Sequence, residues 1–165
     1  MESLEEIQKK LQTNIPGAKL RLEGNSLVVD RSSLIDVCRF LKENDALKMD
    51  YVSCMTGVDY REYLECVYHL YSISRKQGPI CLKVRVKLGD PKIPSLVPIY
   101  RGAEFQEREA YDMVGIIFEG HPDLRRILMW DGFAHYPLRK SYVPEDQDVL
   151  DENKENTNNQ ITNTK

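Results

Sequence analysis

The side chains most able to do chemistry are concentrated between residues 107 and 126. They are Glu107-Arg108-Glu109-Ala110-Tyr111-Asp112, then His121, then Arg125-Arg126. On a helix, Arg108 and Asp112 stand at i,i+4 and Glu109 and Asp112 at i,i+3, so these side chains are neighbours. Carboxylates paired with a histidine could hold a metal ion or perform acid–base work. The same residues equally make a salt-bridged helix edge that receives the arginines of the following loop. The second reading is favoured, because nothing here supplies the fixed multi-ligand spacing of a metalloenzyme.

Other candidates read more plainly. His69 lies in a strand-like run and is expected to be a satisfied sheet histidine; His121 precedes Pro122 and turns a loop; His135 stands beside Tyr136-Pro137 as a contact residue. No serine occupies a Gly-x-Ser-x-Gly setting, and there is no phosphate loop or Gly-x-Gly-x-x-Gly, so no nucleotide site is expected. Cys38, Cys54, Cys66 and Cys81 form no Cys-x-x-Cys, which argues against a zinc ribbon or local iron–sulfur motif and for small buried thiols. Lys83, Arg85 and Lys87 alternate along one strand as a solvated stripe rather than a nucleic-acid footprint.

The elements that must position these residues follow from periodicity. Ser3-x-x-Glu6 is a capping-box pattern that opens a helix over 3–13, stopped at 14–17. Strands are expected over 18–22 and 26–30 around a Glu23-Gly24-Asn25 turn. Ser32 or Ser33 should cap a second helix with Leu34, Val37, Cys38 and Leu41 on one face. Strands follow over 49–58, 63–73 and 80–88, with a turn at 76–79 between the last two. Pro94-Ser95 can start a short helix, and 104–114 reads as a third strong helix stopped by Gly115. The expected fold is α+β: a two-layer domain in the order α-β-β-α-β-β-β-α, with a mostly antiparallel mixed sheet, helices on one side, and an extended C-terminal arm.

The 165 residues suit one domain with a tail, divided here as 1–118 (α+β domain), 119–143 (partner-docking arm) and 144–165 (acidic, polar, disordered tail). Hydrophobic residues make up 41% and charged residues 30%, which is ordinary globular composition. The net charge of −3 is uneven: the last stretch alone carries −4 and the remainder +1, so no case for nucleic acid arises. No apolar run approaches the roughly 18–20 residues of a membrane span, and the acidic N-terminus does not read as a secretory signal. The residues by themselves describe a binding module or assembly subunit better than an enzyme.

Four stretches go further: 93–100, 105–116, His121-Pro-Asp-Leu-Arg-Arg-Ile-Leu-Met129 and Tyr136-Pro-Leu-Arg-Lys140. Together they resemble the thirty-kilodalton-type subunit (designated C) of proton-pumping NADH:quinone oxidoreductase, respiratory complex I. The family pattern is met by Glu107, Arg108, Glu109, Asp112, Met113, Val114, His121, Arg125, Ile127 and Leu128. Between Met129 and Tyr136 this chain departs from relatives that carry Pro-Glu-x-Trp, and Ser141 stands where many have Asp.

The resemblance implies a structural subunit of the hydrophilic arm that packs against the quinone-site subunit (designated D) and supports electron transfer from NADH to quinone coupled to proton translocation. It implies a peripheral position, on the cytoplasmic side of the membrane if bacterial. It implies no flavin, cluster or catalytic residue in this chain, with FMN, iron–sulfur clusters and quinone on partner subunits. Glu107, Arg108, Glu109 and Asp112 would brace the third helix and the returning arm. His121, Arg125, Arg126, Tyr136, Pro137, Leu138, Arg139 and Lys140 would complete the signature and interface, with Trp130 and Phe133 as anchors. The rivals are the equivalent subunit of a related complex (membrane-bound hydrogenase, F420H₂ or ferredoxin dehydrogenase, photosynthetic NDH), a standalone metal-dependent hydrolase built on Glu107, Glu109, Asp112 and His121, and a soluble adaptor.

Overall fold

A computed structural model describes residues 2–143. The tail expected over 144–165 lies outside the described residues. Helix α1 (Leu4–Asn14) opens on a complete capping box: the Glu6 N–H donates to Ser3 Oγ, and the Ser3 N–H donates to Glu6 Oε2. Two orphan donors are thereby satisfied, and Ile7 and Leu11 are turned into the core. Strands β1 (Leu20–Glu23) and β2 (Ser26–Val29) form the expected hairpin.

Neither Ser32 nor Ser33 caps the second helix with its side chain. Asp30 instead accepts from the Ser32 N–H and opens a single 3-10 turn, Arg31–Ser33, that runs into α2 (Leu34–Glu43). A carboxylate is as good an acceptor here as a hydroxyl, and Ser33 Oγ is left to take the Lys19 N–H.

Strands β3 (Tyr51–Asp59), β4 (Tyr63–Ser72) and β5 (Gln77–Lys87) make a long antiparallel meander. The five strands are ordered β1-β2-β5-β4-β3, with β2 and β5 the one parallel pair among them. Ile80, Leu82, Val84 and Val86 of β5 and Leu64, Cys66, Tyr68 and Leu70 of β4 point into one core cluster shared with the helices. The opposite face carries Lys83 and Arg85, with Arg85 donating to both Glu65 and Glu23. The turn between β4 and β5 falls at 73–76, not 76–79, because Gln77, Gly78 and Pro79 already belong to β5. Of the four thiols, Cys38 and Cys66 are buried, Cys81 is half-buried and Cys54 is exposed, which corrects the expectation of four buried ones.

The short helix expected at Pro94-Ser95 does not form. Lys92–Pro94 is strand β6, paired in parallel with β7 (Ile117–Glu119), and Leu96 to Tyr100 makes only one turn. The Ser95 N–H is instead bonded to the Glu119 carbonyl and the Leu96 N–H to Glu107, and Pro98 has no N–H to continue a helix from Pro94. Helix α3 (Ala103–Val114) then packs on β3 and delivers the chain to β7. Residues 120–143 follow without helix or strand.

Candidate functional site

Helix α3 presents three of its signature side chains to separate partners. Glu107 is fully buried, with Oε2 accepting from Ser95 Oγ at 2.6 Å and Oε1 from the Leu96 N–H at 2.7 Å. It thus ties the turn after β6 to the helix. No cation faces it among the described residues, and burial pushes its carboxyl up to about 7 against those two hydrogen bonds.

Asp112, also fully buried, does the reverse. Its Oδ2 accepts the N–H groups of Ile127, Leu128 and Met129 at 2.7–3.0 Å, and its Oδ1 takes Arg126 Nη1 at 2.5 Å. Burial would raise its pKa, but these donors outweigh it and hold the carboxyl below its ordinary value. One carboxylate therefore organises three consecutive residues of the returning chain.

Arg108 does not pair with Asp112. Its guanidinium donates to the carbonyls of Arg125 at 3.1 Å and Arg126 at 3.0 Å, and lies 5.8 Å from the Phe105 ring centre. The i,i+4 spacing made the pair available, but the loop's carbonyls and Arg126 took the two partners instead. Glu109 is exposed and stands apart from this network, beside a shallow groove with Met55, Gly57, Met113 and Leu138. His121 accepts the Asp123 N–H at Nδ1, so its Nε2–H donates to the Glu104 carbonyl, 3.0 Å away. Arg125 is exposed and, among the described residues, forms an ion pair only with Asp123.

The C-terminal end of α3 is where the chain from 121 to 140 is gathered. The last four carbonyls of a helix lack intrahelical donors. Here Tyr111 O takes the Gly115 N–H, Asp112 O takes Arg126, Met113 O takes the Leu138 N–H and Val114 O takes Arg139 Nε. Two of the four donors are guanidinium groups, whose charge also suits the negative end of the helix dipole. Tyr136 lies between them, with Arg126 5.4 Å and Arg139 5.5 Å from its ring centre, and its edge meets Tyr111.

Gly115 makes this possible twice over. Its φ of +77° is the left-handed conformation of a helix stop, and a Cβ there would lie 2.6 Å from the Tyr136 ring. Pro137 is half-buried beside Tyr136, and the Lys140 N–H is bound by Asp59 at the end of β3, 81 positions earlier. Asp59 and Ser95 were not singled out from sequence; no local pattern marks either as a partner of the returning chain.

Several large apolar side chains of α3 and the chain after it stay exposed. Phe105, Leu128, Trp130 and Leu138 are each about 60% exposed or more. Trp130 packs edge-on against Phe133, which in turn meets His135 and Tyr142 and lies 5.5 Å under Arg126. The rigid frame thus displays aromatic and aliphatic side chains that it does not itself cover.

The hydrolase reading fails on this geometry. Glu107, Asp112 and His121 are each turned to a different backbone segment, and Glu109 faces outward. Among the described residues no group of three or more His, Cys, Asp or Glu is placed to hold a metal ion. Nor is any helix among them long and apolar enough to cross a membrane.

Comparison with known proteins agrees with the motif. A family model described as "Respiratory-chain NADH dehydrogenase, 30 Kd subunit" matches residues 27–148. The chain is 44% identical over 121 residues to the NADH-quinone oxidoreductase subunit designated C 2 in Rhizobium meliloti, covering 71% of this chain and 65% of that one. It is 41% identical over 141 residues to the NADH-quinone oxidoreductase subunit designated C in Roseiflexus sp., covering 81% and 80%. Among curated relatives, then, the chain spans from under half to about four-fifths of their length.

Two solved structures share the fold. The trypsin-resistant fragment (1–134) of Nqo5 superposes with a TM-score of 0.59 at 28% identity, covering 74% of this chain and all of that one. A chain of the membrane-bound sulfane sulfur reductase, an archaeal respiratory membrane complex, gives 0.65 at 27% identity over 86% of each. The chain belongs to the family of the respiratory-chain NADH dehydrogenase 30 Kd subunit.

Proposed function

We propose that this chain is a structural subunit of the hydrophilic arm of an NADH:quinone oxidoreductase, where it packs against the quinone-site subunit. It helps hold the quinone-reducing module together while electrons pass from NADH to quinone and protons are translocated. FMN, iron–sulfur clusters and quinone are bound by the neighbours, and this chain carries no chemical step. Its place is peripheral, on the cytoplasmic side of the energy-transducing membrane if the source is bacterial.

The observation that carries this reading is the use made of α3. The buried charges of Arg108 and Asp112 are spent on backbone groups of residues 125–129, and the helix's last two carbonyls on residues 138 and 139, beside exposed Trp130, Leu128, Phe105 and Leu138. Rigid aromatic anchors with nearby arginines are the composition of protein interfaces. The relatives named as subunits of NADH-quinone oxidoreductase point to the same complex.

A second reading is favoured by one specific likeness. A chain of the archaeal sulfane sulfur reductase complex shares this fold over 86% of its length, so the equivalent subunit of a related respiratory complex with another electron donor fits the same surface. Purification of the tagged chain from membranes in mild detergent, with mass spectrometry of what accompanies it, separates the two. Recovery of a quinone-site subunit together with NADH-oxidising flavin and iron–sulfur subunits is expected. A different donor module would replace the first reading with the second. A chain recovered alone would overturn both.

A further inference from the structure

Helix α3 turns one carboxylate of its signature outward. Glu107 and Asp112 are fully buried, whereas Glu109 is exposed and lines a narrow groove of about 50 Å³. Met55, Met113 and Leu138 give that groove apolar walls, and Thr56 and Gly57 line it from β3. The groove joins three segments distant in sequence: strand β3, helix α3 and the returning chain at Leu138. Two hydrogen bonds fix its sides. Gln106 Oε1 takes the Met55 N–H at 2.6 Å, and Met113 O takes the Leu138 N–H at 2.9 Å.

Strand β3 is an edge of the five-stranded sheet. In an antiparallel pair, successive residues turn their backbone groups alternately towards and away from the neighbouring strand. The Met55 N–H is bound on the side away from β4, so the Gly57 carbonyl faces that same side, where Gly57 lines the groove. The groove thus offers two oxygen acceptors, the Glu109 carboxylate and the Gly57 carbonyl, beside thioether and aliphatic walls. Phe105, one turn before Glu109, is 61% exposed and Leu138 60%, so a surface laid here removes apolar area from water. That same surface would strand the Glu109 charge unless it brought a donor with it. A purely apolar side chain leaves the carboxylate unpaired, and an anionic one repels it. A methylene stem with a cationic head satisfies walls and acceptors together.

We propose that this groove receives one cationic side chain, a lysine or arginine, of the neighbouring subunit. Its stem lies along Met55, Met113 and Leu138, and its head pairs with Glu109 and donates to the Gly57 carbonyl. Glu109 is therefore the charged contact of an otherwise apolar interface and sets the register of the partner on α3. This inference rests on the assembly role proposed above and names the chemistry that the partner brings to it.

The test is carboxyl footprinting with a carbodiimide and glycine ethyl ester, read by mass spectrometry, on the full chain purified alone and on the complex purified from membranes. Glu109 is expected to be labelled readily in the free chain and severalfold less in the complex. Glu109→Lys should lower recovery of the complex severalfold, because it sets two cations against each other. Glu109→Gln should make recovery less sensitive to salt between about 50 and about 300 mM, since the screened charge pair is gone. Equal labelling of Glu109 in the free chain and the complex would overturn the proposal. So would a Glu109 already protected in the free chain, or a Glu109→Lys chain that assembles as well as the parent. A parent chain recovered without partners would overturn the assembly role and this inference with it. A complex recovered intact with Glu109 still open to the reagent would overturn this inference alone.

Discussion

Two carboxylates five positions apart on α3, Glu107 and Asp112, behave oppositely because of what surrounds them. Unfolded, Glu107 ionises near 4.5; folded, near 7. Between those values the folded chain holds a proton that the unfolded chain has lost. Stability therefore falls as pH rises from about 4.5 to 7, by up to about 3 kcal/mol, and stays lower above that window. Glu107→Gln removes the charge, keeps an acceptor for the Leu96 N–H and lets its amide N–H donate to Ser95 Oγ. Urea denaturation from pH 5 to 8 should show a flatter profile for this variant and greater stability than the parent at pH 8. A variant less stable than the parent at pH 8 would count against a carboxyl pressed towards neutrality.

Asp112 is stabilised as the anion, so its loss acts at every pH above its depressed pKa. Asp112→Ala leaves three backbone donors and Arg126 without their acceptor, and should cost about 2–4 kcal/mol. Hydrogen exchange should quicken first at Ile127, Leu128 and Met129. Uniform change across the chain would mean that the carboxylate supports the core and not the strap.

At the scale of elements, the end of α3 is the joint between the domain and everything after residue 119. Its four terminal carbonyls are all satisfied by the chain that follows, and Gly115 is the pivot. Gly115→Ala forces a Cβ into a left-handed backbone and into the Tyr136 ring. The conformational cost alone is about 1–2 kcal/mol, and displacement of Tyr136 adds to it. Thermal unfolding should show the loss, and trypsin should cut faster at Arg126 and Arg139 than in the parent. Unchanged cleavage would show that Tyr136 relocates without releasing the strap. The pairing of β6 with β7 belongs to the same joint, because the Ser95 N–H is bound to Glu119 O while Ser95 Oγ reaches Glu107.

For the whole molecule, fold and surface separate cleanly. Trp130 is 66% exposed, so Trp130→Ala should change stability by no more than about 0.5 kcal/mol. On the proposed function it should nevertheless lower recovery of the assembled complex from membranes. Arg108→Glu should lower that recovery too, because it removes the donors that hold the Arg125 and Arg126 carbonyls. Full recovery of complex carrying Trp130→Ala would remove that residue from the interface.

Much of this was already in the order of residues. The capping box, the alternation along β4 and β5, the helical stripe of α2 and the stop at Gly115 depend on neighbours two to four positions away, and local stereochemistry decides such patterns. The resemblance carried by four stretches between Ile93 and Lys140 pointed to its family. Sequence did not disclose which partner each charge would take. Arg108 and Asp112 were neighbours on paper, yet each bonded to backbone groups more than a dozen residues away. Nor did it disclose that Asp59 would meet Lys140, that β2 would lie parallel to β5, or that the prolines near 94 would yield a strand. Those outcomes depend on which backbone groups are left without partners once the core has packed. A buried donor or acceptor takes the partner that packing brings within reach, not the one nearest in sequence.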